Sequence, residues 1–565
     1  MRIGRRGIIL PGILLAVFFA GYVLYPFLQT ALASVHVDGR LSLGHYRELF
    51  DPGNSANLEA VANSVMVSIL SVVASAVAGV FLAFVVTQFN FTGRRTLSRL
   101  AVMPIALPPL VGVIAFLFVF GESGILPRLF QILLGLERPP LFLEGIPAIV
   151  VIHAYSFHIY FYLLVSEALR RMDGSLLEAA EILGSRPWRT FRRIVLPHLR
   201  PALVGGSVLA FMASMASFSA PYLFAGGRRF ITLQIFTTKL NGELDLAAAQ
   251  SVMLLAVSLG FFVIFNVLGR DAGGRGGSKG VSRPKALRLP RVVRRICIML
   301  AVVLVAIEML PMLVIVLVSF AQEGSWTSQL FPSAYTIENY RALVSDPDVL
   351  SPFGNSLLMG VLTVCAALVI GVSGAYVLEK GGLRRGKLFV DTLLTSPYAI
   401  PGTVVAVGLI LSFNRPSLLS GNAVLVGTFW ILPLAYLIRT YPLVVRSTAA
   451  ALAQIDDSLL EAGQSLGAGA WRRFRRIILP LLIPGILSGC LLAMIAAVGE
   501  FVSSILLYAY SSRPISVEIL AQLRTFNFGA ASASCVLLLL MILGIVALTN
   551  VVAGRSAPRD LFLSN

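Results

Sequence analysis

Ser175-Leu-Leu-Glu-Ala-Ala-Glu-Ile-Leu-Gly184 runs on through Trp188 to Ile194-Val-Leu-Pro197. Ser458-Leu-Leu-Glu-Ala-Gly-Gln-Ser-Leu-Gly467 runs on through Trp471 to Ile477-Ile-Leu-Pro480. Aligning Glu178 with Glu461 gives an offset of 461 − 178 = 283. At that offset residues 175–201 and 458–484 are identical at 17 of 27 positions. Self-similarity of this kind marks two copies of one structural unit. Locally, Ser175 and Glu178, like Ser458 and Glu461, have the spacing of a capping box. Gly184 and Gly467 sit where a residue at positive φ ends a short helix. Ser185 is placed to cap a second helix carrying Trp188, Phe191, Arg192 and Arg193. Each copy is expected to be a helix–Gly–helix elbow.

Both elbows lie between long apolar runs. The chain has 565 residues, 57% of them apolar and 13% charged, with a mean hydropathy of +0.86. Several runs reach the roughly 20 residues that cross a bilayer. The net charge of +18 would point a soluble protein toward nucleic acid. Here most of the Lys and Arg fall in the termini, elbows and short loops on one side, the positive-inside pattern, which puts both elbows and both termini in the cytoplasm. Cys297, Cys365, Cys490 and Cys535 lie in apolar stretches without pairing or metal spacing, and read as small buried hydrophobes.

In chain order, Arg2, Arg5 and Arg6 precede an apolar run from about residue 8 to 35. Ala31-Leu-Ala33 resembles a cleavage site, but the run is too long for a signal peptide and fits an uncleaved first span. Further spans are expected near 63–87, 100–120, 146–168, 201–225 and 246–268. Those of the second half are expected near 293–320, 354–379, 388–413, 422–445, 483–508 and 530–553. The fold class is therefore an all-α polytopic membrane protein of about twelve helices in two homologous six-helix halves, 1–269 and 292–565. Residues 270–291 form a flexible basic linker. Its Ser278-Lys279-Gly280 fails the phosphate-loop pattern, and no other such loop occurs, so the chain is not expected to hydrolyse ATP. Asn355-Ser356 echoes Asn63-Ser64, and Pro397 and Pro401 echo Pro104 and Pro108. The prolines are expected to kink their spans.

The order Glu-Ala-Ala, three residues, Gly, nine residues, Ile-x-Leu-Pro resembles the "EAA" loop of the permease subunits of ABC importers. The first copy fits completely; the second departs only at Gly463. The two halves in one chain resemble the fused permeases for ferric iron, thiamine, phosphonates and polyamines. Ser396-Pro-Tyr-Ala-Ile-Pro401-Gly402 and Arg513-Pro-Ile-Ser-Val-Glu518-Ile519 are most like the iron group, while Ser217 stands where that group often has Asp. The resemblance implies a type I permease fold in a bacterial inner membrane. It implies that each elbow docks on one copy of a separate ATPase, which binds the ATP and Mg; this chain carries no cofactor. It also implies a periplasmic or lipid-anchored binding protein that delivers the substrate, and alternating access. Coupling then falls to Glu178, Ala179, Gly184 and Trp188, and to Glu461, Ala462, Gly467 and Trp471.

Charged residues inside spans are costly and therefore informative. Glu500, in Val498-Gly-Glu-Phe501, has Ser217 as its repeat equivalent (500 − 283 = 217). The pair are candidates for the substrate pathway, facing each other across a pseudo-two-fold axis. The alternatives for Glu500 are capping a broken helix or pairing with Arg439. Glu308 reads as a packing or interfacial residue. His153 and His158, five apart, share no helical face well and are not assigned to a metal. The rival readings are a secondary transporter, which also uses internal repeats, and a membrane scaffold or sensor. The duplicated elbow argues against the first, and the lack of any soluble domain against the second.

Overall fold

The computed structural model describes residues 6–37, 39–53, 55–140, 142–270, 290–326, 329–381 and 386–554. The expected linker lies outside the described residues over 271–289. What is described is almost wholly helical. The exceptions are a two-stranded antiparallel hairpin pairing His36 with Leu41 and Val37 with Arg40, and an isolated bridge, Ala321–Tyr335.

The helices used below are α1 (Arg6–Phe18), α2 (Tyr25–Ala33), α3 (Ala56–Gln88), α4 (Pro109–Phe120), α5 (Gly145–Arg171), α6 (Gly174–Ile182), α7 (Leu196–Met215), α8 (Ser219–Phe224), α9 (Ile231–Leu240) and α10 (Leu244–Arg270). The second half contributes α11 (Arg291–Val318), α12 (Pro347–Lys380), α13 (Lys387–Ala399), α14 (Gly402–Phe413), α15 (Ile431–Ala453), α16 (Asp457–Ser465), α17 (Leu479–Val498), α18 (Val502–Leu507), α19 (Ile515–Arg524) and α20 (Phe528–Gly554). Among the described residues, ten helical stretches are long and apolar enough to cross a membrane, or eleven if α13 and α14 count as one bent span. Where a span was expected near 422–445 the structure has α15, Ile431–Ala453, which carries Arg439 and Arg446 and is not among these ten or eleven.

Pro108 and Pro401 break helices rather than kink them, whereas Pro397 lies within α13. α13 and α14 meet at 96°, with Pro401 immediately before α14. Pro108 likewise precedes α4, and Pro109 is its first residue. A proline has no N–H to lose at a helix start and its fixed φ suits that position, so a break there is cheaper than a kink in mid-helix. The spans expected at 201–225 and 483–508 are also broken, each into a long helix (α7, α17) and a short one (α8, α18).

The chain forms two compact units, each discontinuous in sequence. One comprises 46–238 and 252–335, and the other 1–45, 239–251 and 336–565. In the first, α3 packs along α5, α7 packs on both, and α11 packs on α4 and α3. In the second, α12 packs along α15, α17 packs on both, α1 packs on α12, and α2 on α14. The first span of each sequence half is thus packed among helices of the other half. Close helix crossings rest on small residues, as is usual where lipid supplies no hydrophobic drive. A Cβ on Gly371 of α12 would lie 2.6 Å from Val444 Cβ of α15, and one on Gly206 of α7 would lie 2.7 Å from Phe161 Cδ1 of α5.

Candidate coupling and pathway sites

Each elbow is built the same way. α6 and α16 are capped by aspartates upstream of the expected serines. Asp173 Oδ1 accepts from Ser175 N at 3.0 Å, and Asp456 Oδ1 accepts from Ser458 N at 2.9 Å. The expected Ser–Glu capping box is therefore replaced by an Asp cap. A carboxylate outcompetes a hydroxyl there because it also meets the positive end of the helix dipole. Ser185 does not cap the second helix through its hydroxyl; its Oγ accepts from Thr190 Oγ1 at 3.1 Å.

The glycines do what their positions required. Gly184 has φ +66° and Gly467 φ +76°. Ser185 N donates to Ala180 O and Gly184 N to Glu181 O; in the second copy Ala468 N donates to Gly463 O and Gly467 N to Gln464 O. These are paired Schellman motifs, in which the left-handed residue lets the chain satisfy the helix's last carbonyls. At the departure, Gly463, a Cβ would come within 2.9 Å of Ile477 Cδ1, although the first copy carries Ala180 and Ile194 at the same positions. Beyond each glycine the chain runs through a π-helical turn, Phe191–Val195 and Phe474–Ile478, a geometry often found at functional positions.

One face of the first elbow is anchored and another is bare. Leu177 and Val195 join a buried cluster with Leu169, Met172 and Leu199. Glu178 and Ala179 are exposed, and Ile182 (86%), Leu183 (84%) and Trp188 (71%) stand almost fully out. In the second elbow Ile478 and Leu482 are anchored, Glu461, Ala462 and Gly467 are exposed, and Leu466 is 87% exposed. The Trp471 side chain lies outside the described residues. Large apolar side chains this exposed, beside polar ones, give each elbow a bare apolar face.

Ser217 and Glu500 belong to different compact units, each at the break of its own helix. Ser217 follows α7, and its Oγ is 2.9 Å from His153 Nε2 of α5. The Nδ1 of the same ring is 3.0 Å from both Ser71 Oγ and Ser214 Oγ. Glu500 follows α17. Its Oε1 accepts from Ser503 N at 2.9 Å, and its Oε2 is paired with Arg439 Nη1 of α15. Glu500 thus both caps the next segment and pairs with Arg439. His158 turns away from His153. Its Nε2 lies 3.2 Å from Ala101 O and 3.6 Å from Glu308 Oε1. Glu308 is 5% exposed, a packing residue rather than an interfacial one.

The breaks themselves are duplicated. Thr232 Oγ1 donates to Ser217 O, and Ser516 Oγ to Glu500 O, both at 2.9 Å. Asn63 Nδ2 donates to Arg229 O at 3.0 Å and Asn355 Nδ2 to Arg513 O at 3.1 Å. Ser64 Oγ and Ser356 Oγ accept from Ile231 N and Ile515 N at 3.0 and 2.8 Å. The Asn-Ser pairs noted in the sequence therefore hold the start of α9 and α19, and so support each break. Sequence reasoning had no role for His153, Tyr436 or Ser504. The repeat offset was the available signal, because 436 − 283 = 153 places Tyr436 at the position of His153, and Tyr436 Oη lies 2.6 Å from Ser504 Oγ.

A multi-span helical scaffold with two matched elbows and two matched helix breaks defines the membrane component of a transporter. The chain belongs to the family of binding-protein-dependent transport system inner membrane components, whose match takes in residues 75–271 and 367–559. It is a non-catalytic ABC transporter permease subunit. It is 28% identical over 505 residues to a probable ABC transporter permease protein of Sinorhizobium fredii, covering 88% of this chain and 87% of that one. It is 25% identical over 563 residues to a ferric transport system permease of Actinobacillus pleuropneumoniae, covering 96% and 77%. Against a thiamine transport system permease of Salmonella typhimurium it is 26% identical over 506 residues, covering 87% and 88%.

Proposed function

We propose that this chain is the whole membrane pathway of an importer and that its two elbows each dock one copy of an ATPase subunit, which binds ATP and Mg. The observation that carries this reading is the duplicated elbow, fixed on one face and bare at Ile182, Leu183, Trp188 and Leu466 on another. A binding protein, periplasmic or lipid-anchored, delivers the substrate; alternating access carries it into the cytoplasm, where both termini lie. Ser217 and Glu500, at the two helix breaks, are the pathway residues. Broken helices are where membrane proteins place polar contacts for a cargo.

Ferric iron is the substrate we favour, supported by the likeness to the ferric permease over 96% of the chain and by the 396–402 and 513–519 stretches. Thiamine is the second reading, supported by the likeness to the thiamine permease. The test is uptake of radiolabelled ferric iron by cells expressing the permease with its own ATPase and binding protein. Saturable uptake that unlabelled thiamine does not compete with is expected. Thiamine uptake without iron uptake would reverse the order, and uptake of either without the ATPase would remove the importer reading.

A further inference from the structure

The Arg439–Glu500 pair has no counterpart in the first half, where the same offset places Ser156 and Ser217. The second half thus carries a cation and an anion at one helix break where the first has two serines. The anion is tightly held. Glu500 Oε1 takes the Ser503 amide and Oε2 takes Arg439 Nη1. Its backbone carbonyl accepts from Ser504 Oγ at 2.6 Å and from Ser516 Oγ at 2.9 Å. Ser504 has given its only proton to that carbonyl, so Tyr436 Oη, 2.6 Å away, donates to Ser504 Oγ.

The cation is under-used. Arg439 Nε is buried and has no hydrogen-bond partner among the described residues. A guanidinium presents five donors in a fork that matches an oxyanion at two points. Here Glu500 engages it at Nη1 only. The wall beside it is cut back as well, since a Cβ on Gly402 would lie 2.9 Å from Arg439 Nη1. About a quarter of the Arg439 side chain (24%) and 13% of that of Glu500 remain exposed. The arrangement is a carboxylate receptor with an idle donor, filled by a carboxylate tethered to the chain itself.

We propose that Arg439, with the Ser503 amide, is an oxyanion-binding site that Glu500 occupies at rest, and that a carboxylate, phosphate or phosphonate group carried by the transported species displaces Glu500 from it. The exchange keeps Arg439 paired throughout, and the released Glu500 carboxylate, 13% exposed at the break, is met by water or by the cation that travels with the oxyanion, since an unpaired ion among apolar helices is what a membrane interior penalises most. A metal cation then passes this point together with oxyanion ligands rather than bare. This deepens the importer reading and rests on it only for what carries the oxyanion.

The test uses the purified full-length permease, with neither ATPase nor binding protein, so a failure here is separable from a failure of the docking claim. In Glu500→Ala the thermal midpoint should fall and formate should restore it. Half-recovery should come at a formate concentration about tenfold below that of chloride, the advantage of a charge-assisted, two-point contact. Arg439→Gln/Glu500→Ala should show no such preference. If Glu500→Ala does not fold, Glu500→Gln takes its place, with the same preference expected. In the wild type, sulfate should raise carbodiimide labelling of Glu500, read by mass spectrometry, above chloride at equal ionic strength. Equal responses to formate and chloride would overturn the site. Rescue by formate without release of Glu500 by sulfate would make the pair a fixed clasp and overturn the exchange.

Discussion

Gly184 and Gly467 carry a backbone demand that few other residues could meet. At φ +66° and +76° an ordinary side chain costs roughly 1–2 kcal/mol, whereas Asn tolerates the conformation. Gly184→Asn should therefore leave transport near wild type, while Gly184→Val should lower it, with equal amounts of protein in the membrane. Equal transport by the two variants would mean that the backbone conformation is not what coupling needs. This requirement was legible in the sequence, because a left-handed residue closing a short helix is the role that glycine fills at least cost. Ser217 and Glu500 were legible as polar residues in apolar surroundings and as repeat partners. The partners of Glu500 were narrowed but not fixed, since Arg439 lies 61 positions away and only the fold brings it near. His153, which joins Ser71, Ser214 and Ser217, could not be assigned from spacing, because its partners lie on two other segments, 82 and 61 to 64 positions away.

The elements follow local chemistry where that chemistry is strong and depart from it where two signals compete. Ser175 and Glu178 had the right spacing for a cap, but Asp173 two residues earlier takes the position, and the second copy repeats this with Asp456. Asp173→Ala should then cost α6 about 1 kcal/mol, seen as faster amide exchange over residues 175–178. Ser175→Ala should change that exchange little. Faster exchange in the serine variant alone would restore the box that the spacing suggested. Prolines in apolar runs were visible, but not their effect. Pro108 and Pro401 start new helices because the preceding residue is driven out of the helical region, and a 96° bend is a tertiary outcome that hydropathy cannot register. The span expected at 422–445 took in Arg439 but stopped short of Arg446, although both lie in one continuous helix, Ile431–Ala453.

Over the whole molecule, duplication was readable and packing was not. The repeat offset divides the sequence into halves, but α11 follows the linker and still packs on α4 and α3. Its Glu308 lies buried against His158, and this contact helps fix which helices α11 joins. Removing Glu308 leaves His158 its backbone neighbours Tyr155 O and Ala101 O but takes away the carboxylate packed on its ring, at about 1 kcal/mol. Glu308→Leu should therefore lower the thermal midpoint of the purified protein, and adding His158→Phe should recover part of the loss. If the double variant is no better than the single one, the contact does not place α11.

Whether two elbows on one chain each receive an ATPase subunit is decided by ATP hydrolysis in the complete reconstituted complex. Native mass spectrometry of that complex should find two ATPase subunits per chain. Gly184→Glu combined with Gly467→Glu should leave the chain in the membrane yet abolish the rise in hydrolysis caused by loaded binding protein. A double variant that still shows the full stimulated rate would contradict docking at the elbows.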